Sequence, residues 1–242
     1  MLVVVASCHD KSATDLVAHW SAQGARLLSC EDLSRPGWRF YRGRPEHTLA
    51  VISGAPTPSD AIKGILIRRP CIFEEEVLCV RTDDRHYAAQ EMNAFLIAWL
   101  SSLSCPILNT PSELNLLGPN WRREQWVHRA AGIGIAVRPT HRNVPEVADN
   151  QRWGFAAAEL TNVTVVGDRC FGAASETIGA QAVKLAKIAR VGLLGLTFLN
   201  ADGTFVSANL KPDLSDPVVS AAVCEYLTGT YDMPELTRGS DS

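Results

Sequence analysis

Short apolar runs alternate with longer amphipathic stretches over the first part of the chain. The valine-rich run at 2–6 is typical of a buried parallel strand. Further short strands are predicted near 26–28, 38–40, 49–52, 65–67 and 105–109. Helices are predicted at 14–23 and 86–103, with Asp83 or Asp84 as the N-cap of the second. This alternation predicts a mainly parallel sheet covered by helices.

From about residue 163 the pattern changes to hairpins. Strands are predicted at 163–166, 170–173, 193–199 and 205–208. Each pair flanks a short turn, Gly-Asp in the first hairpin and Asp-Gly in the second, which joins antiparallel strands. A helix at 177–189 and a final helix that begins at Asp216-Pro217 and ends at Gly229 are expected to back this sheet.

These patterns predict an α/β chain with a parallel-sheet half and an antiparallel half. The predicted divisions are an N-terminal domain at 1–110, a connector at 111–162, a C-terminal core at 163–236 and a disordered tail at 237–242. One helix is predicted in the connector at 121–131, followed by a polar loop at 141–151.

The composition narrows the class of protein. The chain has 242 residues, 46% of them apolar and 20% charged, which is typical of a soluble globular protein. Its net charge of -3 favours neither nucleic acid nor a membrane as a partner. The apolar helix at 86–103 is interrupted by polar residues and is not expected to span a bilayer. The seven cysteines have no Cys-x-x-Cys spacing, so we expect reduced, buried thiols and a cytoplasmic location.

Three local clusters could carry chemistry. Cys8-His9 follows the first strand, where open α/β sheets place ligands, and forms either an activated thiol or a plain loop. Arg68 and Arg69 either grip a carboxylate or phosphate or pair with the glutamates at 74–76. The arginines at 122, 123, 129 and 138 are typical of a solvated helix face.

Five motifs occur in a fixed order along the chain. They are Ile-Leu-Ile-Arg-Arg-Pro at 65–70, Ile-Leu-Asn-Thr-Pro at 107–111, Gly-Ile-Ala-Val-Arg-Pro-Thr at 134–140, the hairpin at 163–171 and the block at 192–209. This order resembles the ATP-grasp superfamily, especially its peptide-modifying carboxylate–amine ligases of the microviridin and ribosomal-protein glutamate types. The resemblance implies a pre-ATP-grasp-like domain at 1–110 and a truncated ATP-grasp-like core at 163–236. It also implies that Arg68 and Arg69 border a substrate groove.

The chain departs from this family where the nucleotide would bind. The family uses one lysine at a helix opening and another on the sheet that covers the adenine, whereas this chain has no lysine between Lys63 and Lys184. Arg122 stands near the helix opening, and the 20 residues at 141–160 are too few for the adenine-covering subdomain. The family's magnesium-binding glutamate, two positions before an asparagine, is Ser207 here, before Asn209.

Phosphoryl transfer depends on positioning and charge neutralisation, which these departures weaken. The sequence therefore predicts a non-catalytic pseudoenzyme without a cofactor, derived from an ATP-grasp ligase. Its expected partner is a peptide, a small carboxylate, a carrier or a partner enzyme in a modification pathway. The alternative is a minimal carboxylate–amine ligase that uses ATP and Mg²⁺, with the nucleotide held by Arg122, Asn209 and Asp213.

Overall fold

The chain forms two units, each built on its own β-sheet. The computed structural model describes residues 1–41, 43–138, 160–200 and 202–230. The first unit comprises residues 1–118 together with the chain from 214 onward, and the second comprises 119–213.

The secondary structure elements of the described residues are numbered here in chain order. The strands are β1 (Leu2–Val5), β2 (Arg26–Leu28), β3 (Leu49–Ile52), β4 (Ala55–Pro58), β5 (Gly64–Ile67), β6 (Ile107–Leu108), β7 (Leu160–Val166), β8 (Arg169–Phe171), β9 (Leu193–Leu199) and β10 (Phe205–Asn209). The helices are α1 (Lys11–His19), α2 (Cys30–Leu33), α3 (Arg85–Ser101), α4 (Arg123–Gly132), α5 (Glu176–Ala189) and α6 (Pro217–Thr228).

A four-stranded parallel sheet forms the centre of the first unit. Its order is β2–β1–β5–β6, with Val3 of β1 opposite Ile65 of β5. Every residue of β1 and β5 is buried, as their uninterrupted apolar sequences require in a sheet covered on both faces. The mainly parallel sheet predicted for the N-terminal half is confirmed.

Two of the predicted N-terminal strands lie outside this sheet. Strand β3 pairs antiparallel with β4 instead. The reason is local, because Ser53 and Gly54 adopt positive φ angles of 51° and 77° and reverse the chain in a tight turn. Arg39, in the predicted strand at 38–40, forms an isolated bridge with Leu49.

Helix α1 begins three residues before its predicted start. The Asp10 carboxylate accepts a hydrogen bond from the Ala13 amide at 3.2 Å and caps the helix at this earlier point. A short 3₁₀ turn at Ser21–Gln23 follows, and Gly24, with φ 70°, ends it. A glycine with a positive φ angle commonly occupies the position just past the end of a helix.

The second unit contains the antiparallel sheet, in the order β10–β9–β7–β8. Both predicted hairpins are present, β7 with β8 and β9 with β10. Helices α4 and α5 cover one face, where Trp126 and Leu185 join a core with Val165, Leu194 and Phe198. This arrangement confirms the abbreviated antiparallel sheet with helices.

Helix α6 was expected to back the antiparallel sheet, and this expectation is wrong. The helix belongs to the first unit and contacts β5. Buried Ser220 accepts a hydrogen bond from the Trp20 indole at 3.2 Å, and Leu227 lies against Gly64. The apolar face of α6 docks at Gly64, where the missing side chain leaves room for the helix backbone. This contact joins segments far apart in sequence, so the position of α6 after a hairpin does not reveal it.

Several predictions concern residues beyond the described ranges. They are the polar loop at 141–151, most of the interval at 141–160 and the tail at 237–242. Within the described ranges, none of the helices combines the length and the apolar character that crossing a bilayer requires.

Candidate functional site

Side chains alternate along each strand of the antiparallel sheet of the second unit, so one face carries the apolar core and the other face is mixed. The mixed face has the buried pair Val166 and Leu193 at one end. Nearer its middle, Asn162 of β7, Thr197 of β9 and Ser207 of β10 lie opposite one another in one cross-strand row. Asn162 and Ser207 are exposed and Thr197 is half-buried. The Thr197 hydroxyl donates a hydrogen bond to the Asn162 Oδ1 atom at 2.8 Å. We call these three residues the polar row.

Asn209 lies on the same face, two residues beyond Ser207 and opposite Gly195. Its side chain is engaged by the backbone of the following turn. The Asn209 Nδ2 atom donates to the Lys211 carbonyl at 3.0 Å, and the Lys211 amide donates to Asn209 Oδ1 at 2.9 Å. A Cβ atom on Gly195 would lie 3.0 Å from Pro212, so this turn folds closely over β9.

These side chains lack the carboxylates that magnesium sites in proteins usually contain. Magnesium is a hard cation that prefers carboxylate oxygens in octahedral geometry. The polar row and Asn209 supply hydroxyl and amide groups, and the Asn209 amide already bonds to backbone. Across the residues that the structure describes, no group of three or more His, Cys, Asp or Glu side chains is placed to hold a metal ion.

The other two residues of the predicted nucleotide site flank this region. Arg122 is exposed and precedes α4, where its backbone amide donates to the Gln125 side chain at 2.8 Å. Helix α4 packs against β10, the strand that ends at Asn209. Asp213 is exposed four residues beyond Asn209. Arg122, Asn209 and Asp213 therefore belong to one unit, and their role in holding a nucleotide stays a prediction.

Arg68 and Arg69 follow β5, as predicted, but their side chains are buried, each only 3% exposed. The Arg68 amide extends the pairing with β1 by donating to the Val5 carbonyl at 2.8 Å. Arg69 forms an ion pair with Glu76, and its Nε atom donates to the Cys71 carbonyl at 2.8 Å. The sequence left two interpretations open for these arginines, a ligand contact or a pair with a nearby glutamate. The structure shows Arg69 paired with a glutamate. A substrate-binding role for these arginines stays a prediction.

The cysteines are all free thiols, but the expectation that they are buried holds fully only for Cys30. Four others are half-buried, at positions 71, 105, 170 and 224. Cys8 and Cys79 are exposed rather than buried. His9, beside Cys8, donates its backbone amide to the Ser7 hydroxyl at 3.3 Å, and the next residue caps α1. Asp10 therefore has a structural role at the helix start, and neither alternative for Cys8 is decided by these contacts.

The fold, with a parallel-sheet unit followed in the chain by an antiparallel sheet backed by helices, is similar to that of ATP-grasp ligases of known structure. Similar solved structures include the macrocyclase MdnC of Microcystis aeruginosa MRC bound with the precursor peptide MdnA, at a TM-score of 0.67 and 12% identity over 94% of this chain and 99% of that one. A RiPP-associated ATP-grasp ligase of Chryseobacterium gregarium, in complex with ADP and a leader and core peptide, has a TM-score of 0.68 and 10% identity over 95% of this chain and 97% of that one.

A third similar structure is a RimK domain ATP-grasp protein of Sphaerobacter thermophilus, with a TM-score of 0.51 and 15% identity over 94% and 99% of the two chains. At these identities the likeness concerns the fold alone. No protein-family model and no curated protein sequence matches the chain.

The sequence patterns did not identify two members of the polar row as candidate site residues. Thr197 is the single polar residue of β9, and this interruption was the available signal. Strand β7 also contains Thr161 and Thr164, so Asn162 does not stand out within it. The proximity of Asn162 and Thr197 to Ser207 depends on the register of three strands, which no local motif specifies.

Proposed function

We propose that this protein is a non-catalytic, ATP-grasp-derived binding protein that recognises a peptide, a carrier or a partner enzyme in a peptide-modification pathway. The observation that carries the proposal is the polar row, which offers hydroxyl and amide groups on the sheet face where the sequence comparison expected a metal carboxylate. An uncharged surface of this kind suits hydrogen bonding to polar groups such as peptide amides. It provides little attraction for a hydrated divalent cation.

A reducing compartment suits this proposal. All seven cysteines are free, including the exposed Cys8 and Cys79. Exposed free thiols are typical of proteins kept reduced by the cytosolic thiol systems. We therefore assign the protein to the cytoplasm in this proposal.

The decisive experiment is isothermal titration of ATP and ADP into the protein, with and without MgCl₂. We expect no saturable binding at micromolar nucleotide and no ATP hydrolysis above the buffer rate. A hydrogen bond to a charged group is worth about 1.5–3 kcal/mol. Losing two such contacts weakens nucleotide binding by roughly two to four powers of ten.

A minimal ligase is the second candidate. It is supported by the similar structures of ligase PsnB, one of which is complexed with minimal precursor, Mg and ADP. In this candidate Arg122, Asn209 and Asp213 hold the nucleotide. A micromolar dissociation constant for MgATP that is lost in Arg122→Ala and retained in the neighbouring Arg123→Ala would establish it and overturn the binding-protein proposal.

A further inference from the structure

A cavity of about 390 Å³ lies in the first unit, beside helix α3. One wall is formed by the segment 71–75 that follows the buried arginines. The other wall is one face of α3, where lining residues recur at helical spacing. These are His86, Ala89, Gln90 and Asn93. We call this cavity the α3 groove.

The α3 groove has an apolar base and a fixed wall. Ile72 and Ala89 are 6% and 5% exposed, whereas Phe73 is 46% exposed at the rim. Arg69 holds the wall in place through its ion pair with Glu76. Glu76 also accepts a hydrogen bond from the Phe73 amide at 3.3 Å. The groove is therefore held in shape by the protein itself and can offer an apolar surface at low entropic cost.

The rim of the α3 groove is acidic. Glu74 and Glu75 are both exposed, and Glu74 Oε2 lies 3.3 Å from His86 Nδ1. The surrounding segment at 71–93 contains six acidic and two basic residues, and so carries more negative charge than the chain's net -3. This distribution favours a positively charged ligand.

A buried acceptor in the same groove points to the same chemistry. The Oδ1 atom of Asn93 is buried and has no hydrogen-bond partner among the described residues. A buried acceptor without a donor costs free energy, and a ligand N–H group would remove that cost. Asn93 lines the groove that Glu74 and Glu75 border. Asn93 calls for a donor and the two glutamates favour a positive charge, and a cationic N–H group meets both requirements.

We propose that the α3 groove binds an arginine or lysine side chain of a peptide segment. The apolar stem of such a side chain packs on Ile72 and Ala89, as long cationic side chains commonly do on apolar surfaces. The Phe73 ring lies at the rim, where a cation can stack on it. The head group donates to Asn93 and neutralises Glu74 and Glu75. This proposal rests on the proposed peptide-binding function and adds the chemistry of one recognised side chain.

Fluorescence anisotropy with three labelled heptapeptides tests the proposal. The probes have the sequence Gly-Ser-Leu-X-Leu-Ser-Gly, with arginine, its neutral isostere citrulline or glutamate at X. We expect saturable binding of the arginine peptide, binding at least about tenfold weaker for citrulline and none for glutamate. Equal binding of the arginine and citrulline peptides, or no binding of either up to millimolar protein, would overturn the proposal.

Variants locate the binding to the groove. Glu74→Gln combined with Glu75→Gln, and separately Asn93→Leu, should each weaken the arginine peptide by about tenfold or more. The control Glu91→Gln removes an exposed charge from α3 at a position that does not line the groove. If Glu91→Gln weakens binding as much as the double variant, binding reflects overall charge and the proposal fails. The substituted glutamates are exposed, so folding is retained, which circular dichroism checks.

The nucleotide titration is independent of this measurement. Micromolar ATP binding would overturn the non-catalytic function and leave a measured peptide contact in the α3 groove intact. If neither the peptide nor ATP binds, the proposal that the α3 groove binds a peptide side chain fails. The function proposed from the polar row then still stands.

Discussion

Asp32 is the most heavily engaged buried carboxylate of the described residues. It is 4% exposed and accepts hydrogen bonds from the backbone amides of Ser29 at 3.1 Å, Ser53 at 3.2 Å and Gly54 at 2.7 Å. The first amide precedes α2, and the other two belong to the turn between β3 and β4. One side chain therefore joins two loops that are more than twenty residues apart in sequence.

We expect Asp32→Ala to lower the free energy of unfolding by about 3 kcal/mol or more, since it leaves three backbone donors without their charged acceptor. Urea denaturation followed by circular dichroism measures the change. Asp15→Ala is the control, because Asp15 is exposed on α1 and should shift stability by about 0.5 kcal/mol or less. Equal midpoints for the two variants would show that the Asp32 contacts contribute little.

The thiols should differ in their reactivity. Burial raises the pKa of Cys30 to about 11, and nearby Arg69 opposes this only in part. Cys30 therefore stays protonated near pH 8, and it is also 4% exposed. We expect brief iodoacetamide treatment of the native protein to alkylate the exposed Cys8 and Cys79 first and Cys30 last, as measured by peptide mass spectrometry. Early alkylation of Cys30 would contradict its burial.

At the scale of elements, α6 docks on β5 at a point where only glycine fits. A Cβ atom at Gly64 would lie 2.3 Å from the Leu227 carbonyl oxygen and 2.8 Å from the Leu227 Cβ atom. The same helix is also held by the buried hydrogen bond that the Trp20 indole donates to Ser220. The close approach thus links the last described helix of the chain to its central parallel sheet.

Gly64→Ala should therefore destabilise the protein, by roughly 1–3 kcal/mol as for overpacking in general. The matched control is Gly132→Ala, because a Cβ atom there meets nothing within 4 Å. Thermal unfolding of the two variants gives the comparison. A Gly64→Ala protein as stable as the Gly132→Ala protein would mean that α6 tolerates displacement from β5.

At the scale of the whole molecule, an ATP-grasp-like fold carries hydroxyl and amide side chains on the sheet face that lies away from the core of the second unit. Fold and activity are separable in general, because a scaffold depends on its core and an activity depends on a few placed side chains. The core of the second unit is apolar and complete, with Trp126, Leu185 and Phe198 buried. The polar row lies on the other face of the sheet, outside this core.

A single restored carboxylate should not recreate a nucleotide site. We expect Ser207→Glu to bind MgATP no more tightly than the unaltered protein, because Thr197 supplies a neutral group beside it and Asn209 bonds to Lys211. Titration calorimetry at millimolar MgATP makes the measurement, with Ser207→Gln as the uncharged control. Micromolar binding by Ser207→Glu alone would show that the rest of a nucleotide site is intact.

The sequence by itself determined most of the elements and the types of the two four-stranded sheets, although it predicted neither α2 nor the pairing of β3 with β4. Buried apolar runs such as 2–5 and 64–67 predict parallel strands, and turn residues such as Gly167 predict the hairpins. Asp216-Pro217 and Gly229 mark both ends of α6 correctly. These features are local, since caps, turns and alternation act within a few residues of one another.

Only the tertiary structure decided which elements and side chains meet. It placed α6 on β5, turned Arg69 inward to Glu76 and brought Asn162, Thr197 and Ser207 into one row. Each of these outcomes depends on register or on close packing between distant segments. The physical reason is that such contacts are selected by shape and by the pairing of buried charges over the whole fold, and short sequence patterns carry no record of them.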